Sequence, residues 1–325
     1  MSDLAVVRSS SRGMLSDFVD IGVDAAEDHA VDAVRHPQVR AAYELTKPRM
    51  NFLVLVTTAV GYLAAVLPTA SFGLSTWLSF LHVLVGTALS AAGASVLNQW
   101  LERDIDARMP RTKSRPLPAG LLSPTFALVF GVGLSIVGVV YLWLLTNSLA
   151  AGLSLLTIVT YVLIYTPMKR QTAWCTIVGA VPGALPPMIG VAAATGSLGW
   201  LAWGLFGILF AWQMPHFYGL ATMYADDYRA GGLRMLPNEP NGQRRTARQS
   251  IAFAAALLPI SLVPLLSPSI GLLYAVPATA LCVWYLLAAI AFARDFGFAS
   301  AKRVFLVSIV HLPALLSALV LDALL

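Results

Sequence analysis

The stretch from Asn98 to Gly120 (NQWLERDIDARMPRTKSRPLPAG) gathers residue types that do chemistry with phosphates and metals. On a helix, Asn98, Glu102 and Asp106 stand at i, i+4 and i+8, on one face over two turns. Asp104 lies about 200° around from Glu102 and need not join that face. Pro110 is expected to stop the helix, with Arg111, Lys113 and Arg115 following in extended chain before Pro116 and Pro118. Two carboxylates and an amide oxygen on one stripe make a hard-oxygen site of the kind magnesium accepts. The basic run beside it suits the phosphates that such an ion holds. A solvated loop of alternating charges is the competing reading.

A second group of polar residues follows far along the chain. Trp212-Gln213-Met214-Pro215-His216-Phe217 leads into Tyr224-Ala225-Asp226-Asp227-Tyr228-Arg229. Asp226 and Asp227 could face the first carboxylates, and a bridging cation would relieve the repulsion. His216 falls at the end of an apolar segment beside this acidic loop, where an ionisable residue is a functional candidate. Lys169-Arg170 forms a further basic element, which would equally serve as a topological anchor.

The elements that must position these residues are apolar. The 325 residues are 58% hydrophobic and 11% charged, which excludes a soluble globular domain and points to an all-α polytopic membrane protein. Nine stretches are long enough to cross a bilayer, near 50–69, 75–97, 122–144, 147–166, 175–195, 199–220, 249–267, 270–293 and 303–322. The fifth carries GAVPGALPPMIG (Gly179 to Gly190) and should be kinked. Residues 1–45 read as a polar cytoplasmic tail, partly disordered, with a surface helix near 31–45; residues 46–325 read as one membrane domain. Every Lys and Arg lies in the tail or in the links after spans two, four, six and eight. That asymmetry puts the N-terminus and both polar loops in the cytoplasm and the C-terminus outside. It also accounts for the net charge of +5 without any nucleic-acid partner. Cys175 and Cys282 sit in different apolar segments and have no disulfide or metal spacing.

Several segments together resemble the intramembrane aromatic prenyltransferase superfamily, and most of all its haem-farnesylating branch. They are LTKPR (45–49), the 98–120 stretch, YTPMKRQT (165–172), GAVPGALPPMIG (179–190), WQMPHF (212–217) and DYRAGGLRMLP (227–237). The likeness implies nine helices around a central cavity open to lipid, with a diphosphate site at its cytoplasmic mouth. It implies magnesium on Asn98, Glu102, Asp106 and Asp227, with Asp226 in support. Lys47, Arg49, Arg111, Lys113, Arg115, Lys169, Arg170 and Tyr228 would then contact substrate, and His216 would ligate or orient the haem. Asn98, Glu102, Asp106 and Asp227 are the expected catalytic set.

The implied partners are farnesyl diphosphate, haem B and membrane lipid, with a downstream haem A synthase or terminal-oxidase assembly. The implied setting is the plasma (inner) membrane of a bacterium. Three positions depart from the pattern: Gly231 stands where the superfamily has a second Asp, Cys175 where Asn is frequent and Val191 where Trp is frequent. A quinone-precursor prenyltransferase and an anion transporter are the rivals. A transporter would place its polar groups near the bilayer midplane rather than at one interface.

Overall fold

The computed structural model describes residues 37–69 and 73–325; the expectations for the earlier tail lie outside them. Every regular element among the described residues is helical. Among the described residues, eight helices are long and apolar enough to cross a membrane. They are α2 (Pro48–Val66), α3 (Leu74–Asp106), α4 (Pro124–Leu145), α5 (Ser148–Ile158, continued to Met168), the broken pair α6 (Cys175–Ala184) and α7 (Pro186–Thr195), α10 (Gly242–Ser261), α11 (Leu272–Arg294) and α12 (Phe298–Leu324). A short α1 (Pro37–Leu45) precedes them, and α9 (Ala225–Ala230) lies in the second polar loop.

The remaining apolar stretch forms α8 (Trp200–Met223), 24 residues long but outside the eight. Three tryptophans, Gln213, Pro215 and His216 dilute its hydropathy. Over half of its residues are buried, against α6, α10 and α12. A helix enclosed by other helices needs less apolar surface than one facing lipid. The periphery is the reverse: α4 exposes Val129, Ile136, Val137, Trp143 and Leu144, a band that only lipid would cover.

Small residues set the closest approaches, as expected where lipid offers no hydrophobic drive between helices. A Cβ on Gly93 would lie 2.4 Å from Ser135 Oγ, and one on Gly138 2.4 Å from Ser90 Oγ, so α3 and α4 meet backbone to backbone. The fifth stretch is kinked as its sequence implies: it breaks at Leu185 ahead of Pro186 and Pro187, where no helical N–H is available.

Candidate active site

Helix α3 spans 33 residues, about 50 Å at 1.5 Å per residue, against roughly 30 Å of hydrocarbon. Its last turns therefore stand clear of the apolar layer, and they carry Asn98, Glu102 and Asp106. All three are buried and line one cavity of ≈ 450 Å³, while the Asp104 side chain is 77% exposed, off the stripe.

Each oxygen group has its own cation. Lys47 Nζ donates to Asn98 Oδ1 at 2.7 Å, and Asn98 Nδ2 donates to Thr166 Oγ1, which fixes the amide's orientation. Lys169 Nζ bonds Glu102 Oε1 at 2.8 Å, and Arg115 Nη1 reaches both Asp106 oxygens at 2.9 and 2.8 Å. Lys47 turns inward from a left-handed backbone (φ 49°) between α1 and α2. Burial and the neighbouring Arg115 push its ammonium down to about 7. Burial also works against the charge on Lys169, but Tyr165 and Glu102 outweigh it and hold that pKa above the usual lysine range.

The basic run is not extended. The helix ends at Asp106, before Pro110, and residues 107–120 form successive turns. Thr112 and Lys113 both donate backbone N–H to Met109 O at 3.0 Å, and Thr112 Oγ1 donates to Asp106 O. These turns curl Arg115 back onto Asp106; nine extended residues would have carried it roughly 30 Å away. Arg111 lines the cavity and lies over the Tyr224 ring, 5.2 Å from its centre. Lys113 is exposed and lies outside the lining.

The second polar loop contributes less than its composition suggests. Tyr228 lines the cavity, whereas half-buried Asp227 does not, and Asp226 points to solvent in an ion pair with Arg229 at 2.7 Å. Two carboxylates, rather than four, face the cavity. Met109 packs on Gly231: a Cβ there would lie 2.8 Å from Met109 Sδ, so that side chain would have to shift. Met109, Ile105, Cys175, Ala221, Leu233 and Met235 form an apolar knot joining the loops. The Cys175 thiol packs at 3.9 Å from the Arg234 carbonyl, and Val191 is buried on α7; neither lines the cavity. Arg234 N donates to Lys169 O, tying the link after α5 to the same knot.

Composition did not single out Tyr161 and Tyr165. Both line the cavity on a π-helical segment, Val159–Tyr165, stacked 5.6 Å apart, with Lys169 Nζ 4.6 Å from the Tyr165 ring centre. Their i, i+4, i+8 spacing with Lys169 was the available signal. π-Helical turns recur at functional sites because they re-aim side chains.

His216 lies outside the lining, on the flank of α8 that packs against α12. Its ring stacks on Trp212 and leans on Phe305, and Nδ1 is 2.7 Å from Ser308 Oγ. Ser308 Oγ also lies 2.5 Å from the Phe305 carbonyl, and with its one proton directed there Nδ1 is the donor to Oγ. Nε2 is thereby left as a free lone pair. Arg49 is exposed, and Arg170 lines a second cavity with Glu102 and Gln171.

Among the described residues no three His, Cys, Asp or Glu side chains cluster as a metal cage. The donor set still fits a divalent ion, because magnesium takes one or two carboxylates and completes its shell with substrate phosphates and water. Four cations (Lys47, Arg111, Arg115 and Lys169) against two carboxylates leave the mouth positive, as a diphosphate requires.

Residues 54–311 match the UbiA prenyltransferase family. The chain is 46% identical over 293 residues to a protoheme IX farnesyltransferase of Solibacter usitatus, covering 87% of this chain and 99% of that one. A solved structure reported for digeranylgeranylglyceryl phosphate synthase superposes with a TM-score of 0.75 at 16% identity, over 89% of this chain and 99% of that one. A UbiA homolog from Archaeoglobus fulgidus, bound to GPP and Mg2+, superposes with a TM-score of 0.58 at 16% identity, over 86% and 99%.

Proposed function

The chain belongs to the UbiA prenyltransferase family, and on that premise we propose that it transfers the farnesyl group of farnesyl diphosphate to a vinyl group of haem B. The products are diphosphate and haem O, which carries a hydroxyethylfarnesyl tail. The observation that carries this reading is the cavity in which Asn98, Glu102 and Asp106 meet four cations above an apolar interior. The 46% identity to a protoheme IX farnesyltransferase selects haem over a quinone precursor as acceptor.

Lys47, Lys169 and Arg115 are already directed at the oxygen stripe, so small rotations carry their N–H groups onto diphosphate oxygens. There they stabilise the charge that builds on the leaving group as the allylic C–O bond breaks. Asn98, Glu102 and Asp106 would hold magnesium, without Asp226 or Asp227, which stand outside the cavity; when bound it acts as a Lewis acid on the departing diphosphate. The faces of Tyr161 and Tyr165 offer negative π surface to the delocalised carbocation. Apolar side chains such as Met50, Val54, Ala91 and Ala94 receive the prenyl chain and exclude water. His216, on the flank of α8 that packs against α12, would present Nε2 to the haem iron. Arg49, Lys113 and Arg170 serve the approach of the anionic substrates, and Tyr228 closes the mouth.

The Lys/Arg asymmetry and the length of α8 support nine spans, with the N-terminus and active site cytoplasmic and the C-terminus outside. This fits the plasma (inner) membrane of a bacterium, with a haem A synthase or terminal-oxidase assembly receiving the product. The direct test incubates purified protein with haem B, farnesyl diphosphate and magnesium and identifies the product by mass. A farnesylated, hydroxylated haem supports the reading, and its absence with a quinone precursor farnesylated instead overturns it.

A further inference from the structure

Gln213 is a buried polar residue of the cavity wall that the ionising machinery does not use. It is 5% exposed and projects from the middle of α8. Its Nε2 donates to Leu209 O at 3.0 Å and lies 3.5 Å from Ala180 O. Both neighbours are carbonyls, which only accept, so the amide cannot be flipped. Oε1 must therefore be the atom left over, and no described residue donates a hydrogen bond to it. It is not sealed in the packing, since Gln213 lines the cavity. Gly183 keeps its space clear: a Cβ at 183 would stand 2.2 Å from Oε1.

The depth of this oxygen is fixed by α6. Gly179 packs on the Tyr165 ring and Gly183 on Gln213, one helical turn or about 6 Å apart. Tyr165 in turn carries Lys169, the partner of Glu102. Oε1 thus lies about one turn below the diphosphate site, at the level of the first prenyl carbons. An amide oxygen that opens onto the cavity with no protein donor is a place where a ligand or a water supplies one.

The proposed reaction requires such a water. When the terminal vinyl carbon attacks C1 of the farnesyl cation, its π pair forms the new C–C bond. Positive charge then develops on the inner vinyl carbon, conjugated with the macrocycle. A hydroxyethyl product arises only if a water oxygen donates a lone pair to that carbon and loses a proton. We propose that Gln213 Oε1 holds this water by accepting one of its hydrogens, which turns a lone pair toward the cation. The proton leaves to the diphosphate just released, the basic group at the cavity mouth. Without that held water, the same cation is quenched by loss of a neighbouring proton, giving an alkene lighter by one water.

This inference rests on the haem-acceptor reading, and the experiment separates the two. Parent, Gln213→Leu, Gln213→Asn and Gln213→Glu proteins are each incubated with haem B, farnesyl diphosphate and magnesium in 18O-water. The ratio of 18O-hydroxylated to dehydrated adduct is read by mass. Gln213→Leu should lower that ratio about tenfold, the net worth of one hydrogen bond. Gln213→Asn, with a retracted oxygen, should fall between, and Gln213→Glu should restore hydroxylation. A parent-like ratio in Gln213→Leu overturns the proposal, as does a folded Gln213→Leu that no longer releases diphosphate. Should Gln213→Leu not fold, a parent-like ratio in Gln213→Asn overturns it. A parent protein that forms no haem adduct at all overturns the acceptor reading itself, and the role of the water falls with it.

Discussion

Glu102→Gln is the perturbation that best separates a metal ligand from a structural ion pair. Glu102 and Lys169 have side chains only 9% and 14% exposed and meet at 2.8 Å. Removing one partner of a buried pair costs about 3–5 kcal/mol, because the other charge is left without its counter-charge. Gln keeps an oxygen for Lys169 Nζ, so the loss should sit at the low end, about 3 kcal/mol. A second loss is expected in function. Changes in residues merely supporting metal ligands cost 10–100-fold in metal affinity or activity, so losing a ligand's charge should cost at least that. The two effects come apart in Glu102→Gln/Lys169→Met. Removing both charges restores stability, but cannot restore the magnesium dependence. Thermal unfolding and magnesium titration of farnesyl transfer are measured on both proteins and on Asp106→Asn. Asp104→Asn is the comparison, since its carboxylate lies in solvent. Partial recovery at high magnesium is expected for Glu102→Gln and Asp106→Asn. If both keep the parent's activity and magnesium dependence, the stripe is not a metal site and is only an ion-pair network.

His216→Ala should weaken haem binding by at least tenfold in a spectroscopic titration and leave farnesyl diphosphate affinity near parent; the opposite pattern would move His216 to the diphosphate site. Ser308→Ala should shift the haem spectrum more mildly, because it frees the tautomer without removing the ring. Reporter fusions after residues 147, 197 and 268 should read outside, and those after 115, 170 and 240 inside; a cytoplasmic reading at 197 would break the nine-span topology. Deleting residues 1–30 should leave turnover largely intact, and a folded but inactive truncated protein would refute this.

The sequence by itself determined the helices and the stripe. Spans of about 20 apolar residues and the i, i+4, i+8 spacing of Asn98, Glu102 and Asp106 are local periodicities, set by backbone geometry before any tertiary contact. The exclusion of Asp104 and the break before Pro186 follow from the same local rules, and the structure has both.

Only the tertiary structure decided which charges meet. Lys47 and Asn98 are 51 residues apart and Glu102 and Lys169 are 67, and no spacing rule links such positions. The turns that return Arg115 to Asp106 depend on Met109 packing against the second loop and on the Thr112 bonds to Met109 O and Asp106 O, so Pro110 and Pro116 alone read as extended chain. The same packing sets Met109 against Gly231 and leaves Asp226 in solvent. His216 and Gln213 stand three residues apart on α8, on different faces, one toward α12 and one into the cavity. A helix with apolar residues all round carries no internal signal of which neighbour each face will meet. That choice belongs to the packing of α6 and α12, where Gly183 and Ser308 each shape the surroundings of a single functional atom.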